Sequence, residues 1–223
     1  MEFEDWEPIY TLILADMNFD RIYDERAARL LSNLLEIKVR KKIPEVVEIE
    51  ILKKAIKGKD VLICGKAPGF KDDIRKVDFK KYVTIAADGA TSVLMNNGIR
   101  PDIIVTDLDG NMDDEARASE LGTIMVVHAH GDNIDDLGKE VPRLKNVIGT
   151  TQSRPLKNIY NFGGFSDGDR CVFLAKEMGA RTISLIGFDF KDENVTPLKK
   201  KKLQWAEKLI NMLMGEFSAE GEI

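Results

Sequence analysis

With 223 residues, 43% of them hydrophobic and 32% charged, the chain has the size of one large domain and enough apolar surface to fold, which excludes a disordered protein. A net charge of -5 provides no basic excess for nucleic acid, and no apolar run approaches the roughly 18 residues that cross a bilayer. Neither a nucleic-acid partner nor a membrane is expected.

The start, Met1 to Glu7, is acidic where a secretory signal would be basic and then apolar, so a cytoplasmic location is the expectation. After Asp20, the residues Ile22, Ala27, Leu30, Leu31, Leu34 and Leu35 recur at helical spacing. Pro44 interrupts, and Val46 to Lys57 reads as a further helix closed by Gly58. Residues 1–57 therefore read as a small helical N-terminal segment, and residues 58–223 as the main domain. Trp6, Tyr10, Leu12 and Leu14 are more apolar surface than a lone helix pair buries, which suggests a homodimer through this segment.

Beyond Gly58, short β-rich runs alternate with helical stretches. The predicted strands are Val61–Cys64, Tyr82–Ala87, Ile103–Thr106, Thr123–His128, Asn146–Thr150 and Thr182–Gly187. Between them Ala90–Asn97, Asp113–Leu121 and Asp167–Met178 are the predicted crossover helices, and Pro197 to Met214 closes the domain. This order predicts an α/β fold, a Rossmann-like doubly wound and mostly parallel sheet. Cys64 and Cys171 sit in apolar runs without metal-ligand spacing and are expected as reduced core residues. Only two glutamines beside abundant lysine and glutamate suggest adaptation to heat.

In such sheets ligands bind beyond the carboxyl ends of the strands, and there the sequence repeatedly combines Gly with Asp. Gly65 to Gly69, Asp88-Gly89, Asp107-Leu108-Asp109-Gly110, His128 to Asn133 and Gly163 to Asp169 fall at successive ends. One such pair is an ordinary turn or cap; several on one edge point to a ligand. Asp107 and Asp109 are two apart, so extended backbone would present both carboxylates to one side, where they repel without a cation. Oxygen ligands suit Mg²⁺, and Mg²⁺ between carboxylates and phosphate makes a phosphoryl-transfer site with a nucleotide co-substrate.

His128-x-His130-x-Asp132 has the spacing of di-zinc hydrolases, but the chain has only these two histidines, too few for two zinc shells. Both therefore read as phosphate or substrate contacts, or as polar groups satisfied at the domain surface. The Gly65 to Gly69 turn is not a dinucleotide fingerprint and no Walker motif is present, although its backbone can still face phosphate. Lys199 to Lys202 read as a solvated helix face, or as a reach toward a triphosphate.

Ala87-Asp88-Gly89-Ala90, followed by Gly98-Ile99-Arg100-Pro101-Asp102 and Thr106-Asp107-Leu108-Asp109-Gly110, resembles the nucleotide and magnesium motifs of thiamin pyrophosphokinases. There a D-G-G turn precedes G-x-x-P-D and G-D-x-D-S. The departures are Thr106 for Gly, Gly110 for Ser, Asp169 for His, and no second, thiamin-binding domain. Together with the helical N-terminus and Gly187-Phe188-Asp189-Phe190, they resemble the archaeal 6-hydroxymethyl-7,8-dihydropterin pyrophosphokinase family over nearly the whole chain. The resemblance implies Mg²⁺-dependent transfer of pyrophosphate from ATP to a small pterin alcohol, releasing AMP, on the way to folate or methanopterin cofactors. It implies metal and catalytic roles for Asp107, Asp109 and Asp132, and nucleotide or phosphate contacts from Gly65, Asp88, Gly89, His130, Gly163, Gly164 and Asp167. Asp132 and Asp167 are the candidates for taking the hydroxyl proton. The competing expectations are a thiamin pyrophosphokinase, a glycosyltransferase-associated relative, and a Mg-nucleotide sensor without turnover.

Overall fold

The computed structural model describes residues 1–40 and 46–220. The expected break at Pro44 and the tail Gly221-Glu222 lie outside the described residues. Helices α1 (Phe3–Met17), α2 (Arg21–Arg40) and α3 (Ile49–Ile56) precede strand β1 (Asp60–Cys64). The one-turn α4 (Phe70–Asp73) leads to β2 (Val83–Ala87), and α5 (Ala90–Asn96) leads to β3 (Ile103–Thr106). Next come α6 (Met112–Glu120), β4 (Ile124–Ala129), α7 (Ile134–Glu140), β5 (Val147–Thr151) and the two-residue β6 (Ile159–Tyr160). Finally α8 (Asp167–Glu177), β7 (Thr182–Ile186) and α9 (Pro197–Glu220) complete the order.

The seven strands form one sheet in the order β6-β5-β4-β3-β2-β1-β7, with every pairing parallel. The chain moves outward from β1 to β6 and then returns to place β7 on the other side of β1, the Rossmann-like arrangement that the alternation predicts. Because successive side chains alternate across a strand, near-continuous apolar runs supply both faces. Val61, Ile63, Ile85 and Val105 pack with α1, α3, α8 and α9, whereas Leu62, Cys64, Ala86 and Ile104 pack with α2, α5, α6 and α7. All six predicted strands are present with shifts of a residue or so at their ends; β6 is too short to leave a periodic signal.

One predicted helix starts late. Val46 bridges to Val147 and Val47 N–H donates to the Val147 carbonyl at 3.1 Å, so the backbone is extended there before α3 begins at Ile49. A free sheet edge position outweighs helical periodicity for these residues. Gly58 follows α3 in the left-handed region at φ 71°, which suits a glycine after a helix end.

Of the apolar residues that suggest a dimer, Trp6, Tyr10 and Leu14 are buried inside this same chain, and Leu12 alone remains exposed. Both cysteines are free and fully buried, and burial pushes the Cys64 thiol up to about 12. No helix of the described residues is long and apolar enough to cross a membrane.

Candidate active site

A cavity of about 770 Å³ runs along the carboxyl edge of the sheet. The turns after β1, β2, β3, β4, β5 and β7 contribute to its wall, joined by the N-terminus of α8 and one face of α9. At its centre Asp88, Asp107 and Asp109 each bring a carboxylate oxygen within 4.8 Å of the others.

The pairing of Asp107 with Asp109 arises by a different route from alternation on extended backbone. Leu108 between them adopts φ 71°, a left-handed turn, and its N–H donates to Thr106 Oγ1 at 2.8 Å. Burial of the Leu108 side chain holds that turn in place. The same Thr106 hydroxyl lies 3.0 Å from Asp88 Oδ1 and 3.2 Å from Glu115 Oε1. Glycine at position 110 leaves room for Asp88, since a Cβ there would stand 2.6 Å from Asp88 Oδ1 and shift that carboxylate.

The acids differ in character. Burial, followed by the charges of Glu115 and Asp109, pushes Asp88 up to about 9, and burial pushes Glu115 up to about 7. Burial would raise Asp107 as well. The hydrogen bond of His130, with Arg170 and Lys202 behind it, holds it at about 2 instead. His130 Nε2 lies 3.2 Å from Asp107 Oδ2, and the Asp132 N–H donates to His130 Nδ1 at 3.3 Å, so Nε2 is the protonated nitrogen facing the carboxylate. Asp107 Oδ1 is buried without a protein partner.

The expected site residues divide. Gly65, Asp88, Gly89, Asp107, Asp109, His130, Asp132 and Asp167 all line the cavity. Asp132 is exposed on the turn after β4 and stands outside the carboxylate cluster, where Asp88 takes the third place. Gly163 and Gly164 line no part of the cavity; with φ of 86° and 89° they turn the chain against Phe173 and Arg170 and aim α8. Asp169 is a cap rather than a contact, accepting from the Phe165 and Ser166 N–H groups at 2.6 and 2.8 Å.

The histidines part company. His130 faces the cavity, whereas His128 is 2% exposed, with Nδ1 3.2 Å from Thr150 Oγ1 and burial lowering its basicity well below the ordinary range. His128 is therefore a core group, with its Nε2 buried and without a hydrogen-bond partner among the described residues, and it is not part of the cavity wall.

Several residues carry no motif and still belong to the site. Arg170 donates from Nη1 to Asp167 Oδ1 at 3.2 Å and from Nη2 to Gln152 Oε1 at 3.0 Å. Gln152 in turn donates to Asp24 Oδ2 at 2.7 Å, and Asp24 also accepts from Tyr10 Oη at 2.6 Å and from the Gly131 N–H at 2.8 Å. Burial and the nearby Asp107 charge raise Asp167 well above the ordinary carboxyl range. Glu115 could have been suspected from its place one turn before Ala118 on the buried face of α6; Asp24 and Gln152 left no comparable signal.

A family model described as 6-hydroxymethylpterin diphosphokinase MptE-like matches residues 30–195. The chain belongs to the MptE-like 6-hydroxymethylpterin diphosphokinase family. It is similar to proteins named 6-hydroxymethyl-7,8-dihydropterin pyrophosphokinase from three archaea. The Pyrococcus furiosus protein is 43% identical over 96% of this chain and 94% of its own length. The Methanocaldococcus jannaschii protein is 37% identical over 99% of both chains, and the Methanothermobacter thermautotrophicus protein 39% identical over 96% of this chain and 95% of its own. The match to this MptE-like family spans α2 through β7, and so includes each carboxylate of the cluster.

Proposed function

We propose that the protein is a cytoplasmic enzyme that transfers pyrophosphate from ATP to 6-hydroxymethyl-7,8-dihydropterin, with Mg²⁺ as its cofactor. The carrying observation is the cluster of Asp88, Asp107 and Asp109 in a cavity that also presents Lys66, Arg170, Lys199 and Lys202. Three oxygen ligands from carboxylates match a hard cation, and the orphaned, buried Asp107 Oδ1 is an acceptor in want of one. These residues fit Mg²⁺. When bound, the cation supplies charge neutralisation for the phosphates.

The lysines and Arg170 attract and orient the triphosphate, and the acids in their midst exclude an anion that arrives without its cation. The acceptor hydroxyl oxygen forms a bond to the β-phosphorus while the bond from that phosphorus to the α,β-bridging oxygen breaks. AMP leaves with the bridging oxygen, and the hydroxyl proton goes to a carboxylate. Asp167 suits that role better than the exposed Asp132, because burial and Asp107 raise its affinity for a proton. His130 keeps Asp107 ionised and oriented.

The test supplies Mg-ATP with 6-hydroxymethyl-7,8-dihydropterin, with thiamin, and with no acceptor. We expect AMP to appear in step with the pterin diphosphate and only with the pterin. ADP as the product, or equal turnover without acceptor, would overturn the reading.

A further inference from the structure

The chain contains an aromatic motif after β7 that phosphate chemistry does not use. Phe188 and Phe190 are half-buried, line the cavity, and stand with ring centroids 5.6 Å apart at an interplanar angle of 36°. Phe188 is held from two sides. A Cβ at Gly65 would lie 3.1 Å from its ring, and a Cβ at Gly168 would lie 2.6 Å from it. Gly187, at φ 72°, lets the chain cross β1 closely enough for a Cβ at Gly65 to meet the Gly187 carbonyl at 2.5 Å. The ring is thus wedged between the β1 turn and the N-terminus of α8, next to Asp167, a residue that senses the charges of Asp88, Asp107 and Asp109. A half-buried aromatic ring that lines the cavity, beside the most acidic part of the molecule, is a seat for a planar uncharged ring.

Two planar heterocycles must enter this cavity, and the chemistry of the reaction distinguishes their places. In the nucleotide, the ribose and the α-phosphate separate adenine from the β-phosphorus. In the acceptor, a single methylene separates the reacting oxygen from the bicyclic ring. Phe188, packed against Gly168 one residue from Asp167, the proposed proton acceptor, therefore stands on the acceptor's side of the cavity. Resting on the pyrophosphokinase reading above, we propose that Phe188, supported by Phe190, is the stacking platform of the pterin subsite. Gly65 and Gly168 are then positioning residues whose missing side chains leave room for the ring. Phe165, the other aromatic residue beside Asp167, is 5% exposed, whereas Phe188 is half-buried.

The experiment measures binding of Mg-ATP and of 6-hydroxymethyl-7,8-dihydropterin separately by calorimetry, together with KM for each, in the unaltered protein and in Phe188→Leu and Gly168→Ala. Leucine keeps apolar packing against the two glycines and removes the π face; alanine in α8 displaces the ring while favouring the helix. We expect KM and Kd for the pterin to rise about 10-fold or more in both variants, a loss in the range known for base stacking on aromatic side chains. Values for Mg-ATP should stay within about 2-fold. A selective loss of Mg-ATP affinity would assign the ring to adenine and overturn the proposal, as would unchanged pterin binding in both variants. An unaltered protein that binds no pterin would instead overturn the pyrophosphokinase reading itself. Thermal unfolding identifies a variant that has lost its fold, and Phe188→Tyr, which retains the π face, should restore pterin affinity to within about 3-fold of the original if stacking is the cause.

Discussion

Asp88, Asp107 and Asp109 carry unlike burdens although all three are carboxylates. Removing the charge of Asp107 or Asp109 should lower kcat by about 100-fold or more, the scale of losing a fixed electrostatic contact in a phosphoryl-transfer site. Steady-state rates of Asp107→Asn and Asp109→Asn check this, and Asp109→Asn should keep its metal-free melting temperature. Gly110→Ala is the more discriminating change, because its Cβ would stand 2.6 Å from Asp88 Oδ1 and displace that carboxylate without altering any charge. The expected outcome is a Mg²⁺ affinity about 10-fold weaker by calorimetry, with the fold retained. Asp107 and Asp109 were legible in the sequence as a spaced pair beyond a strand. Asp88 was legible as a site residue but not as a member of the cluster, since that depends on the register of β2 against β3 and on the turn at Leu108. Asp132 illustrates the converse, a residue whose turn lines the cavity while its carboxylate is not one of the three that cluster.

Helix α2 does more than cover the sheet. Through Asp24 it grips the Gly131 N–H, and so fixes the turn that carries His130 to Asp107; through Gln152 the same carboxylate reaches Arg170. Asp24→Asn should leave either both Tyr10 and Gln152, which share Oδ2, or the Gly131 N–H on Oδ1 without an acceptor, and cost about 1–3 kcal/mol of stability, measured by denaturant unfolding. It should also lower kcat about 10-fold at saturating substrates, an effect that a purely structural contact in a still-folded protein would not produce. Strand and helix existence was readable here because β-branched runs bounded by glycine alternate with amphipathic stretches. What the sequence withheld were contacts between distant elements. Nothing near Asp24 marks it as the partner of a turn on β4, and Val46 joined the sheet because an edge of β5 was open to it.

Across the whole molecule the acid cluster sets a dependence of stability on pH. Asp88, raised to about 9, holds a proton in the folded, metal-free protein that its unfolded counterpart has released above about pH 4. Between pH 7 and 8.5 the native state thus binds more protons than the unfolded state, and stability falls as pH rises. Thermal scans without metal should show a lower melting temperature at pH 8.5 than at pH 7. Added Mg²⁺, which takes the place of that proton, should raise the melting temperature more at the higher pH. The parallel architecture also has a consequence in time. The two turns that carry the clustered acids follow the consecutive strands β2 and β3, whereas the Phe188 wedge needs β7 to pair with β1 across most of the chain. A chain growing from its N-terminus therefore delivers the carboxylates well before the last strand can dock, and long-range parallel pairing is slow to form. The acidic half of the site is complete early, while the aromatic half waits on synthesis of nearly the entire protein.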